Sequence, residues 1–206
     1  MKIAVFGATG RIGSVFTGLA EDSGWEVNAL IRNPHKIPPS LRKVNVIEGN
    51  ASRRSDVEAT IKGCDAVFVG LGTDKTDTLS VSAPLITEAM KKYNVIRAVI
   101  IGTAGILDSR YQPGKYRFET PESKRKSTAA AEEHLKAYQA WKASGLDWTY
   151  ICPTYLPDGD VQGDVRFERS YLPENGKKVT VGDTASFAFD TLVQEKFIQQ
   201  RIGICY

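Results

Sequence analysis

The sequence is poor in the residues that build disulfides and metal sites. Its 206 residues include three cysteines and two histidines. Cys64, Cys152 and Cys205 are far apart, odd in number and set in apolar runs. They therefore predict buried thiols in a reducing compartment rather than disulfides or metal ligands, and no metal site is expected.

The chain also has little excess of one charge sign over the other. The formal net charge is +3 at pH 7 and is spread along the chain, so it favours neither nucleic acid nor a membrane surface as a partner. The densest basic run is Lys124-Arg125-Lys126. It has no interleaved aromatic residues, and we interpret it as a solvated loop or a helix start rather than an RNA-binding patch.

Long hydrophobic runs are missing as well. No stretch approaches the length that crosses a bilayer, and the first apolar run is short and is interrupted by a glycine, unlike a signal peptide. A cytoplasmic protein is expected. The length suffices for one domain with a sizeable core, but not for a dinucleotide-binding domain with a second, large substrate domain.

The first thirteen residues carry the strongest signal. An apolar run at 1–6 is followed by Gly7-Ala8-Thr9-Gly10-Arg11-Ile12-Gly13 and by an amphipathic stretch at 14–23. This order predicts a strand, a turn and a helix whose unpaired N-terminal amides attract phosphate. Gly7 allows the tight turn, Gly10 lets a pyrophosphate approach the backbone, and Gly13 lets the helix lie close to the sheet. An ordinary glycine turn is the alternative, which the flanking strand and helix disfavour.

Strands and helices alternate along the rest of the chain. Strands are predicted at 26–31, 44–47, 66–69, 97–101 and 148–152, with shorter ones at 165–167, 178–181 and 202–204; helices are predicted at 55–62, 81–93, 127–144 and 183–195, the last capped by Asp183. This pattern predicts an α/β fold, a single Rossmann-like domain over 1–206 with a doubly wound parallel sheet in the order 3-2-1-4-5-6. A small C-terminal lobe on the substrate side is expected from 105–121 and 153–181.

The residue after the second strand indicates which dinucleotide binds. An acidic residue there would bind the ribose hydroxyls of NAD, whereas this chain has Arg32, whose forked guanidinium suits a 2′-phosphate. Arg11 is expected to reach the same side. NADP(H) is therefore favoured over NAD(H). The alternatives are a solvated strand end for Arg32 and an exposed first-turn residue for Arg11.

These motifs resemble the short-chain dehydrogenase/reductase superfamily. The Gly7 to Gly13 turn has the form of its extended and atypical branches, and Ser144-Gly145-Leu146-Asp147-Trp148-Thr149 before Pro153 resembles the atypical branch. Within it, the chain is similar to the NAD(P)-binding group of biliverdin reductase B, or flavin reductase, and to the NmrA-like group.

The resemblance implies a set of cofactor-binding residues. They are Gly7, Thr9, Gly10, Arg11, Ile12 and Gly13 at the pyrophosphate, Arg32 at the 2′-phosphate, Asn50 near the adenine, Gly72 and Thr73 at the ribose, Thr103 and Ala104 below the nicotinamide, and Pro153 on the substrate side with Thr154 and Tyr155.

The catalytic end departs from the better-known members, which use a Ser and a Tyr-x-x-x-Lys motif. The Ser position falls on Thr103 or Ala104. Tyr138 and Lys142 have the spacing on a predicted helix, but a Tyr138 packed on the sheet and a solvated Lys142 is the favoured interpretation. His134 is the better polar candidate, because imidazole exchanges protons near neutral pH; a helix-surface histidine is the alternative. The catalytic candidates are therefore His134, Thr103 and Tyr155.

A strong cofactor site beside a weak acid–base site indicates a class of acceptor. Flavins, quinones and tetrapyrroles spread the charge that hydride transfer brings, so positioning matters more than an acid. An NADPH-dependent reductase of such a planar small molecule is expected, as a monomer or a small homo-oligomer. Aromatic residues at 111–118 and Tyr155 are expected to floor its pocket or to pack the loop. An NADP(H)-binding redox sensor without turnover is the alternative, and an epimerase or dehydratase ranks last.

Overall fold

Eight strands and five α-helices alternate in the part of the chain that the structure describes. The computed structural model describes residues 1–39, 41, 43–73, 76–123 and 127–206. The strands are β1 Lys2–Phe6, β2 Glu26–Ile31, β3 Asn45–Glu48, β4 Ala66–Val69, β5 Arg97–Ile101, β6 Asp147–Pro153, β7 Arg166–Arg169 and β8 Gln200–Cys205. The helices are α1 Arg11–Asp22, α2 Arg54–Ile61, α3 Thr78–Lys92, α4 Ala129–Ser144 and α5 Val181–Val193.

The strands form one sheet in the order β3-β2-β1-β4-β5-β6-β8-β7. All neighbours are parallel except β7, which pairs antiparallel with β8. The predicted doubly wound order 3-2-1-4-5-6 is confirmed, and β8 and β7 extend the sheet beyond β6. The strand order reverses between β1 and β4, which is where such sheets open a crevice at their carboxyl edge.

Each face of the sheet carries its own hydrophobic core. One core lies under α2, α3 and α4, and the other under α1 and α5. All four residues of β4 are buried, as expected for a parallel strand covered on both faces. On the α1 face, the rings of Phe16 and Phe68 stack with their centroids 3.8 Å apart. This contact fixes α1 against β4, the strand that contains Phe68.

The strand predicted at 178–181 is wrong. Lys178 makes only an isolated bridge with Tyr155, and Val181 already begins α5. The β-branched run favours a strand locally, but the hydroxyl of Thr180 accepts a hydrogen bond from the Asp183 amide and starts the helix there. Thr180, and not the predicted Asp183, is therefore the cap of α5.

Smaller differences concern the ends of elements. Helix α3 begins at Thr78, three residues before its predicted start. The irregular segment after β5 contains two short 3-10 helices, Ala104–Ile106 and Arg117–Glu119. The basic run at 124–126 lies outside the described residues. Cys64, Cys152 and Cys205 are free and buried, which confirms the predicted buried thiols.

A search of the described residues finds no helix that is both long and apolar enough to span a membrane.

Candidate functional site

A cleft of about 950 Å³ opens at the carboxyl edge of the sheet, over the point where the strand order reverses. The turn after β1, the ends of β2 and β3, and the segments after β4, β5 and β6 all contribute to its wall. The predicted site residues that line it are Gly7, Thr9, Gly10, Arg11, Ile12, Arg32, Asn50, Gly72, Thr73, Thr103, His134, Pro153 and Thr154. Residues separated by more than a hundred positions in the sequence therefore meet in one concavity.

The glycine turn is shaped for close approach. Gly7 has a φ of +92°, and a Cβ there would lie 2.6 Å from the carbonyl oxygen of Gly70. A Cβ at Gly13 would lie 2.0 Å from the carbonyl oxygen of Gly7, so α1 begins flush against the turn. Gly13 is buried and does not line the cleft, whereas Gly10 does. The first amides of α1 have no intrahelical acceptor, and this backbone cradle fits a pyrophosphate.

The side chain of Arg11 contacts residues that follow β6. Its Nη1 donates to the carbonyl oxygen of Leu156 and to the carboxylate of Asp158, both at 3.0 Å. Helix α1 packs beside α5, so its first turn faces the segment that joins β6 to α5. The guanidinium of Arg11 is therefore engaged by the segment after β6. That Arg11 reaches the side of Arg32 stays a prediction, and both residues line the cleft.

The end of the cleft where the sequence predicts the adenosine is built by the ends of β2 and β3. Arg32 follows β2 and is exposed. Asn50 follows β3, and its backbone N–H donates to the carboxylate of Asp56 at 2.9 Å. That bond and the hydroxyl of Ser55 hold the pKa of Asp56 below its usual value. Among the described residues that line the cleft none is acidic, so its charged side chains favour an anionic ligand.

Thr103 and His134 line the opposite side of the cleft. The hydroxyl of Thr103 accepts a hydrogen bond from the Gly105 amide at 3.3 Å. His134 extends from α4 and is half-buried. A hydroxyl and an imidazole therefore lie at the end of the cleft away from Arg32.

Besides Gly13, two predicted residues lie outside the cleft. Ala104 is 6% exposed and packs in the core, and Tyr155 is 64% exposed and bridges to Lys178 through its backbone. Sequence reasoning missed Thr78 and Ala130, which line the cleft from the first turns of α3 and α4. Their positions at helix starts near the carboxyl edge were the available signal.

The Tyr138–Lys142 pair does not enter the cleft. The Tyr138 ring is buried, edge-on to Trp148 and Tyr150 at 5.6 Å, with the Arg201 guanidinium 5.0 Å above it. Burial raises the pKa of Tyr138, while Lys142 is exposed. The structure thus confirms the packed tyrosine and the solvated lysine.

The aromatic residues after β5 pack their own segment. The rings of Tyr116 and Phe118 stack with centroids 6.2 Å apart, and Arg201 lies 5.3 Å from the Tyr116 ring. Tyr111 is 80% exposed. None of these three rings lines the cleft, so the pocket floor expected from them is not formed, and the loop-packing alternative holds for Tyr116 and Phe118 but not for Tyr111.

Solved structures of bacterial proteins share this architecture. A candidate exported protein from Burkholderia pseudomallei is 28% identical with a TM-score of 0.85, and each chain covers 100% of the other. A candidate NADH-flavin reductase from Streptococcus pneumoniae is 22% identical, with a TM-score of 0.84 over 100% of this chain and 99% of that one. A short-chain dehydrogenase/reductase from Veillonella parvula in complex with NADP is 20% identical, with a TM-score of 0.82 over 100% and 94%. At these identities the last two establish a shared fold.

The sequence itself matches a family described as NAD(P)H-binding over residues 7–195. The match starts at the glycine turn and ends just after α5, so it includes the described residues that line the cleft except Phe6. It confirms the predicted resemblance to NAD(P)-binding proteins, and it supports the expected NAD(P)H-dependent oxidoreductase. The chain belongs to the NAD(P)H-binding family.

Proposed function

We propose that the protein is an NADPH-dependent reductase of a planar conjugated acceptor, such as a flavin, a quinone or a biliverdin-like tetrapyrrole. One observation carries the proposal: the cleft combines a well-formed glycine cradle with an acid–base end where the described residues include no Tyr–Lys pair, because Tyr138 packs in the core. A conjugated acceptor tolerates that lack, since its ring system spreads the charge that arrives.

The cofactor supplies hydride from its nicotinamide ring when bound. The chain's residues supply position: Gly7 and Gly10 admit the pyrophosphate to the backbone, and Arg32 pairs with the 2′-phosphate. Pro153 and Thr103 flank the nicotinamide end of the cleft. Holding two flat rings at contact distance accounts for much of the rate.

His134 is the proposed proton source at that end. It lies on α4, one helical turn after Ala130, and both line the cleft. Thr103 orients the acceptor by donating its hydroxyl hydrogen while its oxygen accepts from Gly105. Tyr155 is exposed and lies in the chain between Thr154 and Leu156, which line the cleft, so it would contact only an acceptor that extends past the rim. Water can replace His134, so its loss should slow turnover without abolishing it.

Two relatives in fold support the proposal by analogy. One is the Streptococcus pneumoniae protein described as a candidate NADH-flavin reductase, and the other is the Veillonella parvula protein that binds NADP. We further propose that the protein works in the cytoplasm, as a monomer or a small homo-oligomer, on a small molecule and not on nucleic acid or a membrane.

A panel of acceptors tests the activity. Purified protein, NADPH and one of FMN, riboflavin, a quinone or biliverdin are mixed, and the nicotinamide absorbance is followed. Oxidation well above the protein-free rate with at least one acceptor is expected. Tight NADPH binding without oxidation by any of them would contradict a reductase and favour a redox sensor of the NmrA-like type.

A further inference from the structure

A second cavity adjoins the adenosine end of the cleft. It is open, measures about 580 Å³, and shares Arg32, Gly49 and Asn50 with the main cleft. Its remaining wall is Glu48, Arg53 and Asp56. A group attached to the adenosine ribose and held by Arg32 would therefore face this cavity as well.

We propose that Arg53 is a second residue that binds the 2′-phosphate and so sets the preference for NADP(H). This inference rests on the proposed function, which places the 2′-phosphate at Arg32. Arg53 is the residue just before α2, and it lines the same cavity as Arg32 from the other side of the β3 end. Arg11, the other expected cation, is bound to Leu156 and Asp158 instead.

Arg53 has the local setting that such a role needs. Arg53 is exposed. Its backbone is extended, with φ −113° and ψ 122°, because it lies just before α2 and not within it. Its amide N–H donates to the Asn50 carbonyl oxygen at 2.9 Å, which ties it to the turn that lines the cleft. The neighbouring Arg54 differs, because its guanidinium pairs with Glu88 at 2.6 Å and it does not line the cavity.

Two carboxylates, Asp56 and Glu48, share the cavity with Arg53 and are held differently. The Asp56 carboxylate is folded under the turn, where it accepts hydrogen bonds from the Asn50 amide and the Ser55 hydroxyl. Glu48 ends β3 and is exposed. Its charge opposes a phosphate in the cavity, so removing that charge should strengthen binding of the 2′-phosphate while removing Arg53 should weaken it.

Titration with two adenosine nucleotides tests Arg53 without hydride transfer. Adenosine 2′,5′-bisphosphate and 5′-AMP differ by the 2′-phosphate alone. In R53A we expect the bisphosphate Kd to rise about tenfold, the size of one charge-assisted hydrogen bond, with the AMP Kd unchanged. R53K should retain part of the preference, E48Q should increase it, and R54A should leave both Kd values unchanged.

The outcomes separate this inference from the proposed cofactor preference. If the unmodified protein prefers the bisphosphate and R53A retains that preference, Arg53 has no such role and the assignment of Arg32 still stands. An equal loss of both nucleotides in R53A also overturns the inference. If the unmodified protein binds both nucleotides equally, the NADP(H) preference itself is wrong, and the inference is overturned together with it.

Discussion

The guanidinium of Arg11 lies 3.0 Å from the carboxylate of Asp158, 147 residues further along the chain. This ion pair joins the glycine turn to the segment after β6 across one side of the cleft. The two side chains are 58% and 81% exposed, so the pair adds little to stability. Its effect is expected on ligands, because Asp158 competes with a pyrophosphate for Arg11.

Asp158→Asn should therefore strengthen cofactor binding. With the competing carboxylate removed, we expect NADPH and NADH to bind more tightly by the same factor, because both carry the pyrophosphate. Kd values from fluorescence titration measure this, with Asp160→Asn, another exposed carboxylate of the same segment, as the control. A gain for NADPH alone, or an equal gain in the control, would show that the pair does not act in this way.

Gly13→Ala should disrupt the turn. The new Cβ would lie 2.0 Å from the Gly7 carbonyl oxygen, so α1 must shift and both stability and cofactor affinity should fall. Gly18→Ala on the same helix is the matched control, because a Cβ there meets nothing within 4 Å. That variant should gain about 0.5–1 kcal/mol of unfolding free energy. Urea denaturation distinguishes the two; a Gly13→Ala protein as stable as the control would contradict this packing.

Arg32→Asp should reverse the cofactor preference. A carboxylate repels the 2′-phosphate and can bind the ribose hydroxyls, so NADPH affinity should fall far more than NADH affinity. Kd values for the two cofactors give the result. Equal losses would mean that Arg32 does not contact the 2′-phosphate.

Asp183 should make the fold sensitive to acid. Burial alone would raise the pKa of this carboxyl, but hydrogen bonds from Tyr206, from Thr180 and from the amides of Gln162 and Gly163 outweigh it, and the pKa lies below its usual value. The stabilisation is therefore fully present above the pKa of an unfolded Asp, about 4, and is lost as the pH falls through the lower folded value.

Asp183→Asn measures that contribution. At neutral pH we expect a loss of about 2 kcal/mol in the free energy of unfolding, because buried donors lose a charged acceptor. The difference from the unmodified protein should shrink as the pH falls below about 4. Asp190→Asn, exposed on the same helix, should change little. A difference that grows in acid would contradict the assignment.

Tyr138→Phe and Lys142→Ala should leave reductase turnover unchanged. The Phe ring can keep the contacts with Trp148 and Tyr150, and Lys142 is exposed. Steady-state NADPH oxidation checks both variants, with His134→Gln as the comparison that should be slower. A large loss of turnover in Tyr138→Phe or Lys142→Ala would show that this pair acts as the acid, against the geometry.

The strands of the sheet could be predicted from the sequence because buried parallel strands are continuous apolar runs. Strands β2, β4 and β5 have the bounds that the runs predict, and the order follows from the glycine turn. The strand predicted at 178–181 fails because propensity is local, while the Thr180 cap and the bridge from Lys178 to Tyr155 depend on tertiary packing.

The backbone of the glycine turn was more predictable than the directions of the side chains around the cleft. Steric demands fix Gly7 and Gly13 wherever this turn occurs, so they leave a pattern in the sequence. The direction of the Arg11 side chain leaves no such pattern in the sequence, because its partners Leu156 and Asp158 come from a distant segment. The same holds for Tyr155, whose position just after β6 does not reveal that its ring faces solvent.

Anaerobic mixing of the protein with equimolar NADPH and FMN tests the central claim most directly. The account predicts that the nicotinamide and flavin absorbance bands decay together, at one rate that increases with protein concentration and with no other reductant present. Loss of NADPH without flavin reduction, or no change in the bands when FMN, riboflavin, a quinone and biliverdin are tried in turn while NADPH is bound, would contradict direct hydride transfer to a planar acceptor.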